Sequence, residues 1–221
     1  MDVEAFALSL RLGAATVLVL LPVGVLLGRL LAYRDFPAKG LVEAGLALPL
    51  VLPPTVLGYY LLVSMGAASP IGRAFQALTG HGLVFHFEGL LVASVLVNLP
   101  FAIQPMQRGF EAIPREVREA AACSGMGPWR ALARVELPLA WPGIVSGLVL
   151  TFAHTLGEFG VVLMVGGSIP GETRTVAIAI YDRVQAFDER AAGLMSAVLL
   201  ALSLAALGLT YILSRRVGRR G

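Results

Sequence analysis

The stretch EAAACSGMGPWRALARVELP, residues 119–138, is a polar segment that separates long apolar segments of the chain. It carries two arginines, and Gly125, Gly127 and Pro128 interrupt it. Glycine and proline in such a position indicate turns and helix ends, whereas the apolar segments on both sides are long enough to form helices. The stretch is therefore predicted to be a structured loop that joins two apolar helices.

The composition of the whole chain places these helices in a membrane. Of 221 residues, 57% are hydrophobic and 14% are charged, and the mean hydropathy is +0.81, whereas a soluble domain has roughly 25% charged residues. Cys123 is the single cysteine, which excludes an internal disulfide and a metal cluster of cysteine thiolates. We predict an all-α integral membrane bundle with no bound cofactor or metal and no nucleic-acid partner.

Five apolar segments have the length of membrane spans. A helix needs about 20 apolar residues to cross a hydrocarbon core of roughly 30 Å. The N-terminal apolar segment lacks the features of a cleaved signal peptide, so it is expected to remain as the first span. The predicted transmembrane domain covers residues 8–213, a basic tail covers 214–221, and the spans are 8–31, 41–65, 89–107, 142–165 and 191–213.

The distribution of basic residues predicts the orientation of the bundle. Lysine and arginine next to a span are retained on the cytoplasmic side of the membrane. With five spans, 12 of the 17 basic residues fall on the side of the C-terminus and 5 fall on the other side. We therefore expect the N-terminus outside and the C-terminus in the cytoplasm. The loop 108–141, which contains the EAA stretch 119–138, is then cytoplasmic.

Several residues inside the predicted spans interrupt or bend helices. Pro22 lies in the first span, Pro53 and Pro54 lie in the second, and Asn98 and Pro100 lie in the third. Backbone groups that proline leaves unpaired need partners inside a membrane, so such breaks favour helices that face protein or a wet cavity. This pattern favours a transport bundle over a single-helix anchor, and ordinary kinks of membrane helices remain the alternative.

Small and charged residues in the spans also carry predictions. Gly24 and Gly28, and likewise Gly143 and Gly147, form Gly-x3-Gly pairs, which allow close approach of helices. We expect both pairs to serve packing within the chain rather than between two copies. Arg29 lies near the end of the first span, where its long side chain is expected to reach the membrane surface.

The local sequence of the cytoplasmic loop predicts two short helices joined by a turn. Pro114 is expected at the start of the first helix, and Gly125 is expected at its left-handed end. Pro128 then starts a second helix, which is expected to end before Pro138. At helical spacing the first helix has one face of small side chains and one of charged side chains. Such a helix is suited to a groove of a soluble partner.

The same loop resembles the EAA loop of bacterial ABC importer permeases, EAA-x3-G-x9-I-x-LP, with valine in place of isoleucine. The matching residues are Glu119, Ala120, Ala121, Gly125, Val135, Leu137 and Pro138. The resemblance implies that this loop contacts a separate ATPase subunit, which binds the ATP and Mg²⁺. The chain itself has no G-x4-G-K-[ST] phosphate loop, because its one lysine, Lys39, stands between alanine and glycine.

The resemblance also implies the assembly. Two copies of the chain would form a homodimer of type I ABC importer permeases in the bacterial inner membrane, with two ATP-binding cassette subunits and an extracytoplasmic binding protein. Five spans in one copy are few to enclose a transport pathway, which also favours a homodimer. Alternating access is the mechanism that the resemblance implies.

The segment LGEFGVVLMVGGSIPGETRTVAIAIYD, residues 156–182, is similar to the oxyanion branch of these permeases. Its second part, GGSIPGETRTVAIAIYD, resembles the molybdate and tungstate permeases, which implies ATP-driven import of molybdate with a molybdate-binding protein. Sulfate and thiosulfate permeases, or those of another oxyanion, remain the alternative because sulfate permeases are similar in the LGEFG segment. The substrate-binding residues remain unassigned.

Glu158 is an acidic residue deep in the fourth predicted span, where a carboxylate that faced lipid would be costly. His154 lies one helical turn before it, so the two side chains are expected to form a pair. A structural pair or a gate is favoured over a substrate contact, because a carboxylate repels an anion. An intramembrane enzyme that uses this pair as acid and base is the remote alternative. The nearest hydroxyls, on Thr151 and Thr155, have no orienting group that would make either a nucleophile.

Overall fold

The structure is a computed structural model that describes residues 1–218, with side chains described for residues 1–208. All regular elements in that part of the chain are helices, which confirms the predicted all-α fold. In chain order they are α1 (Val3–Tyr33), α2 (Lys39–Val51), α3 (Pro54–Met65), α4 (Pro70–Thr79), α5 (Phe87–Glu111), α6 (Arg115–Cys123), α7 (Pro128–Ala131), a π-helical segment (Leu132–Glu136), α8 (Leu137–Gly157), α9 (Gly160–Gly166), α10 (Val176–Gln185) and α11 (Glu189–Gly218). The predicted tail 214–221 is helical as far as Gly218, and residues 219–221 lie outside the described part.

Four helical segments of the described chain are long and apolar enough to cross a membrane, and they are α1, α5, the continuous run Pro128–Gly157 and the segment Glu189–Gly208 of α11. The bent pair of α2 and α3 would be a fifth span, in agreement with the five predicted spans. α1 begins before the predicted limit because Asp2 caps it. The carboxylate of Asp2 accepts a hydrogen bond from the N–H of Ala5 at 3.0 Å.

The second predicted span, 41–65, consists of two helices. α2 and α3 are bent by 111° where they meet. Pro53 and Pro54 remove two backbone donors, and a residue that precedes proline is driven out of the helical conformation. Leu52 and Pro53 accordingly have extended ψ angles of 138° and 134°. The two prolines therefore cause a sharp corner, where a single kinked span was expected.

The fourth predicted span, 142–165, differs from the structure at both ends. The helical run begins earlier, at Pro128, and it stops at Gly157. Glu158 has an extended backbone with ψ of 127°, and the chain becomes helical again at Gly160, as the short helix α9. Apolar composition continues through this break, which is why the sequence predicted one uninterrupted helix.

Helix α9 packs against α3, and two glycines allow this contact. A Cβ added at Gly58 of α3 would lie 2.8 Å from the Cβ of Met164. A Cβ added at Gly160 of α9 would lie 2.7 Å from the Cβ of Pro54. Real Cβ atoms do not approach neighbours so closely, so both positions need glycine for space. Helix α9, which follows the break at Glu158, therefore packs directly on α3, which follows the corner at Pro53.

Close packing of α1, α5 and α8 forms the centre of the bundle. A Cβ added at Gly143 would lie 2.5 Å from a carbonyl oxygen of α5, and one at Gly147 would lie 2.7 Å from another. A Cβ added at Gly24 would lie 2.6 Å from the sulfur of Met106 on α5, and Gly28 also faces the α5 backbone. The prediction that both Gly-x3-Gly pairs serve packing within the chain is confirmed.

Two helices add little to this core. Helix α2, whose residues are all described, has no buried residue. In the described part of α11, the buried apolar side chains are Ala192 and Met195. Apolar residues on these helices, such as Leu41, Leu48 and Leu200, remain exposed. In a membrane such faces contact lipid or another protein chain.

Candidate functional site

Helix α6 contains the first residues of the EAA stretch, and most of its residues are exposed. Within α6, Ala121 is the buried residue, whereas Ala120 is exposed. Arg115 and Glu119 form an exposed ion pair one turn apart, with 2.6 Å between Nε and Oε1. The side chain of Val117 is 37% exposed. A helix with small and charged side chains on its exposed surface can lie closely in a groove of another protein.

Helix α6 ends in a left-handed turn at Gly125, which has a φ of 73°. The N–H of Met126 donates to the carbonyl of Ala121 at 3.2 Å, and the N–H of Gly125 donates to that of Ala122 at 3.0 Å. No heavy atom lies within 4 Å of the place a Cβ at Gly125 would take. Glycine is needed there for its backbone conformation and not for space. The predicted left-handed end of the helix is confirmed.

The second helix of the loop does not end before Pro138, and this prediction is wrong. Helix α7, the π-helical segment and α8 form one continuous run. The N–H of Leu137 donates to the carbonyl of Leu132, five residues earlier. Proline lacks an N–H, so it is tolerated where the regular pattern of helical hydrogen bonds is already displaced. The π-helical segment thus lets the helix continue through Pro138.

Three further motif residues lie along this run. Val135 and Leu137 are half-buried, and Pro138 is exposed. Leu137 packs against a hydrophobic cluster that includes Phe110 of α5 and Ile144 of α8. The last residues of the EAA stretch are therefore part of the bundle, whereas its first residues lie outside the core.

Glu136, inside the same motif, is nearly buried and forms an ion pair with Arg29 of α1. The side chains are 6% and 30% exposed, respectively. Arg29 donates from Nε to Oε2 of Glu136, and from Nη2 to Oε1 at 3.0 Å. Two parallel hydrogen bonds between guanidinium and carboxylate fix both the distance and the orientation of the groups. Arg29 was expected to reach the membrane surface, but it instead ties α1 to the π-helical segment.

Tyr33 and Arg118 extend this connection to α6. The hydroxyl of Tyr33 donates to the carbonyl of Phe110 on α5 at 3.2 Å. The guanidinium of Arg118, on α6, lies 4.0 Å from the centre of the Tyr33 ring, a distance at which a cation is attracted to the face of an aromatic ring. The end of α1 therefore contacts α5, which precedes the loop, and α6, which lies within it.

His154 and Glu158 lie close together, with 3.7 Å between Nε2 and Oε2. The other ring nitrogen of His154, Nδ1, lies 3.1 Å from Oδ1 of Asn98 on α5. The imidazole ring also stacks on Phe101 of α5, with 4.1 Å between ring centres. His154 therefore joins α8 to α5 as well as to Glu158.

Glu158 also has a role that the sequence did not indicate. Its Oε1 accepts a hydrogen bond from the N–H of Val161 at 3.1 Å. The first N–H groups of a helix have no partner within the helix, so a side-chain acceptor stabilises its start. Glu158 is 7% exposed. Its carboxylate therefore holds the end of α8 against the start of α9 at the break.

Buried polar groups continue from Asn98 toward α1. The amide of Asn98 donates to the carbonyl of Ser94 at 2.8 Å, and the hydroxyl of Thr16 on α1 donates to Oγ of Ser94 at 2.9 Å. The hydroxyl of Thr155 donates to the carbonyl of Thr151 at 2.8 Å. Hydrogen bonds between helices fix their register in a membrane bundle. Since the hydroxyl of Thr155 donates to the Thr151 carbonyl one turn earlier in α8, it is not prepared as a nucleophile.

A comparison with family models identifies the architecture. The model described as "Binding-protein-dependent transport system inner membrane component" matches residues 21–219. The chain belongs to this family. It is therefore a membrane component of a transport system, which decides against the intramembrane enzyme.

Several curated relatives in this family are similar over most of their length. The molybdenum transport system permease protein ModB of Azotobacter vinelandii is 50% identical, over 85% of this chain and 83% of the relative. ModB of Escherichia coli (strain K12) is 37% identical, over 98% of this chain and 96% of the relative. A probable sulfate transport system permease protein, cysT, of Chlorokybus atmophyticus is 33% identical, over 86% of this chain and 67% of the relative.

A solved structure supports the same fold. It is a bacterial alginate ABC transporter in complex with a periplasmic protein that binds an alginate pentasaccharide. The matched chain superimposes with a TM-score of 0.77 at 16% identity, over 97% of this chain and 78% of that chain. At this identity the likeness concerns the fold alone.

The loop after α9, residues 167–175, lies at the end of the bundle opposite α6. Most of its polar side chains form contacts with other residues of the same chain. Nη2 of Arg174 lies 2.9 Å from Oδ2 of Asp2, and the hydroxyl of Ser168 donates to Asp182 at 2.8 Å. The hydroxyl of Thr173 donates to a carbonyl of α9 at 2.7 Å. Among the described residues, no cluster of His, Cys, Asp and Glu could hold a metal ion. We assign no substrate ligand to this end.

The connection of α1 to the loop was not predicted from the sequence, and the four side chains that form it are Arg29, Tyr33, Arg118 and Glu136. A signal for Glu136 was present, since it stands between valine and leucine in a segment that becomes a buried helix. The signal for Arg29 was an arginine inside an apolar span, which also contains Arg11. Pairing the two requires knowledge of which helices are neighbours in space, and one sequence does not supply it.

Proposed function

We propose that this chain is the transmembrane permease subunit of an ATP-driven molybdate importer. The observation that carries this proposal is the likeness to the molybdenum transport permeases of Azotobacter vinelandii and Escherichia coli, which extends over most of both chains. The GGSIPGETRTVAIAIYD segment supports the same cargo. The importer would take molybdate from an extracytoplasmic binding protein and release it into the cytoplasm.

Helix α6 would be the contact with the ATPase subunit. It is exposed along most of its length, and its residues Glu119, Ala120 and Ala121 match the EAA motif. The fixed turn at Gly125 connects α6 to α7, so that a displacement of α6 reaches the continuous helix that includes α8. The ion pair of Arg29 and Glu136 would carry the same displacement to α1. This route supports alternating access driven by ATP hydrolysis in a separate subunit.

A homodimer with two ATPase subunits is the assembly that we propose. The exposed apolar faces of α2 and α11 support it, because they leave a large apolar area for a second copy or for lipid. The basic residues support an N-terminus outside and a C-terminus in the cytoplasm. That orientation places α6 on the side where ATP is available.

The intramembrane pair of His154 and Glu158 would serve the structure or a gate. The carboxylate of Glu158 caps α9, and α9 packs on α3. A change in the contact between His154 and Glu158 would therefore move both α9 and α3. A carboxylate in a pathway for an anion would repel the cargo. These contacts favour a positioning role over binding of molybdate.

Transport by the reconstituted complex tests this function. The chain, its ATPase and its binding protein are placed in proteoliposomes, and uptake of labelled molybdate and labelled sulfate is measured with and without internal ATP. We expect molybdate uptake that requires ATP and the binding protein, and that tungstate competes for. Uptake of sulfate but not molybdate would make the chain a sulfate permease, and uptake without ATP would contradict an ABC importer.

A further inference from the structure

A cavity of about 580 Å³ lies between the C-terminal half of α1 and the helical run that follows α6. One end of its lining is charged and aromatic, and the other end is apolar. The residues that decide its chemistry are Leu26, Leu30, Arg34, Arg118, Trp129 and Glu136. A ligand for this cavity therefore needs a polar part and an apolar part.

The charged end has an excess of positive charge. Three arginines and one glutamate line the cavity, which leaves a net charge of +2. Glu136 is paired with Arg29, so Arg34 and Arg118 supply the excess. Neither of these two arginines forms an ion pair with a described carboxylate within 4.0 Å. An anionic ligand would balance their charge.

Arg118 is prepared for such a ligand. Its guanidinium is held over the ring of Tyr33 at 4.0 Å. Its Nε is buried and has no hydrogen-bond partner among the described residues. Arg118 lines the cavity, so an acceptor that enters it would meet the remaining donors of the guanidinium and balance its charge. Phosphate oxygens are acceptors that a guanidinium binds with good geometry.

The apolar end is open to the membrane. Leu26 and Leu30 lie on the exposed side of α1, with 49% and 45% of their surfaces exposed. Because α1 is a membrane span, leucines exposed near its end face hydrocarbon chains. Trp129 is 72% exposed at the same cavity, and tryptophan is enriched where membrane and water meet. The cavity therefore joins a basic pocket to the lipid-facing surface of a span.

We propose that this cavity binds an anionic phospholipid. The phosphate of the headgroup lies against Arg34 and Arg118, and an acyl chain lies along Leu26 and Leu30. Basic pockets beside membrane helices are suited to anionic headgroups. A free phosphate would use the charged end alone and leave the two leucines uncovered. The inference goes beyond the transport function and does not depend on which anion is carried.

The bound lipid would connect α1 to α6, because Arg34 follows α1 and Arg118 belongs to α6. It would therefore stabilise the position of α6 beside the bundle. A membrane with anionic lipid would hold the loop in the described arrangement more firmly than a zwitterionic membrane.

Native mass spectrometry of the full chain in detergent tests the proposal. The probes are dioleoylphosphatidylglycerol and dioleoylphosphatidylcholine, which have the same acyl chains and differ in headgroup charge. Each arginine contributes about a fivefold change in affinity to an anionic lipid, so for the two arginines we expect a preference of about 25-fold for phosphatidylglycerol. Arg34→Gln, at an exposed position, should reduce this preference about fivefold, and adding Arg118→Gln should abolish it.

The matched control is the double variant Arg130→Gln and Arg134→Gln, which removes the same charge from exposed residues of the loop that do not line the cavity. It should keep the lipid preference. If both double variants lose the lipid preference equally, the preference depends on the total charge of the chain and not on this site, which overturns the proposed site. If glycerol phosphate displaces the bound lipid as well as phosphatidylglycerol does, the ligand is a free phosphate and the lipid proposal is overturned. If the added ATPase subunit excludes the lipid, the cavity belongs to the contact with that subunit, and the lipid proposal is overturned.

Discussion

Arg29 of α1 and Glu136 of the π-helical segment are 107 residues apart in the chain, and the structure joins them by two hydrogen bonds. The carboxylate is nearly buried, so its charge depends on the arginine for compensation. The pair lies between the exposed α6 and the packed centre of the bundle. A force on the loop would therefore reach α1 through this contact and α8 through the continuous helix.

The first prediction concerns this pair. Arg29→Met should destabilise the chain by about 3–5 kcal/mol, because it leaves the Glu136 carboxylate buried without a partner. The double variant Arg29→Met with Glu136→Met should recover most of the loss, because apolar side chains can replace a buried ion pair. Unfolding of the purified chain in detergent measures both effects.

The ion pair of Arg115 and Glu119 is the control, since its side chains are 80% and 58% exposed. Arg115→Met should cost at most about 1 kcal/mol, because water screens an exposed pair. If the double variant at positions 29 and 136 is as unstable as the single variant, the loss of stability does not come from an unpaired buried carboxylate.

The second prediction concerns the turn after α6. Gly125→Val should weaken co-purification with the ATPase subunit, because a branched residue takes a φ of 73° only at a cost of roughly 1–2 kcal/mol. Gly125→Asn should have a smaller effect, since asparagine tolerates the left-handed conformation. Gly127→Val is the control, because Gly127 has a φ of −66° and open space around it. A normal amount of complex with Gly125→Val would remove this turn from the coupling contact.

The sequence was sufficient for the fold class because apolar length alone determines it in a membrane protein. It was insufficient wherever an apolar segment changes direction. Pro53 and Pro54 indicated an interruption, but composition gave neither the angle of that corner nor the break at Glu158, because their geometry depends on α3 and α9 packing together. The Gly-x3-Gly pairs were predictable because close approach of helices requires small residues at fixed spacing.

The candidate site was predictable where the requirement is local. Gly125 could be assigned because a left-handed turn depends on one residue. Helical spacing predicted that His154 and Glu158 lie near each other, and they do, although Glu158 directly follows the end of α8. The π-helical segment could not be assigned, because proline usually ends a helix. The pairing of Arg29 with Glu136 depends on two helices distant in sequence, as does the contact of His154 with Asn98.

The third prediction concerns the break between α8 and α9. Glu158→Gln should leave the chain nearly as stable as before, because the amide oxygen can still accept from the N–H of Val161. Glu158→Leu should cost about 1–2 kcal/mol, since it removes the acceptor at the start of α9. Unfolding in detergent compares the two variants, and equal stability would show that the carboxylate neither caps α9 nor supports His154.

The fourth prediction uses Cys123, which is the single cysteine and lies exposed on α6. A membrane-impermeant maleimide should label it in inverted membrane vesicles and not in intact spheroplasts, because the proposed orientation places α6 in the cytoplasm. Added ATPase subunit should reduce the labelling, because that subunit would cover α6.

The control variant Cys123→Ser with Ser168→Cys should show the opposite sidedness, since Ser168 is exposed at the other end of the bundle. Reversed labelling of both cysteines would overturn the orientation. Labelling of Cys123 that the ATPase subunit leaves unchanged would instead separate α6 from the subunit contact, while the orientation would stand.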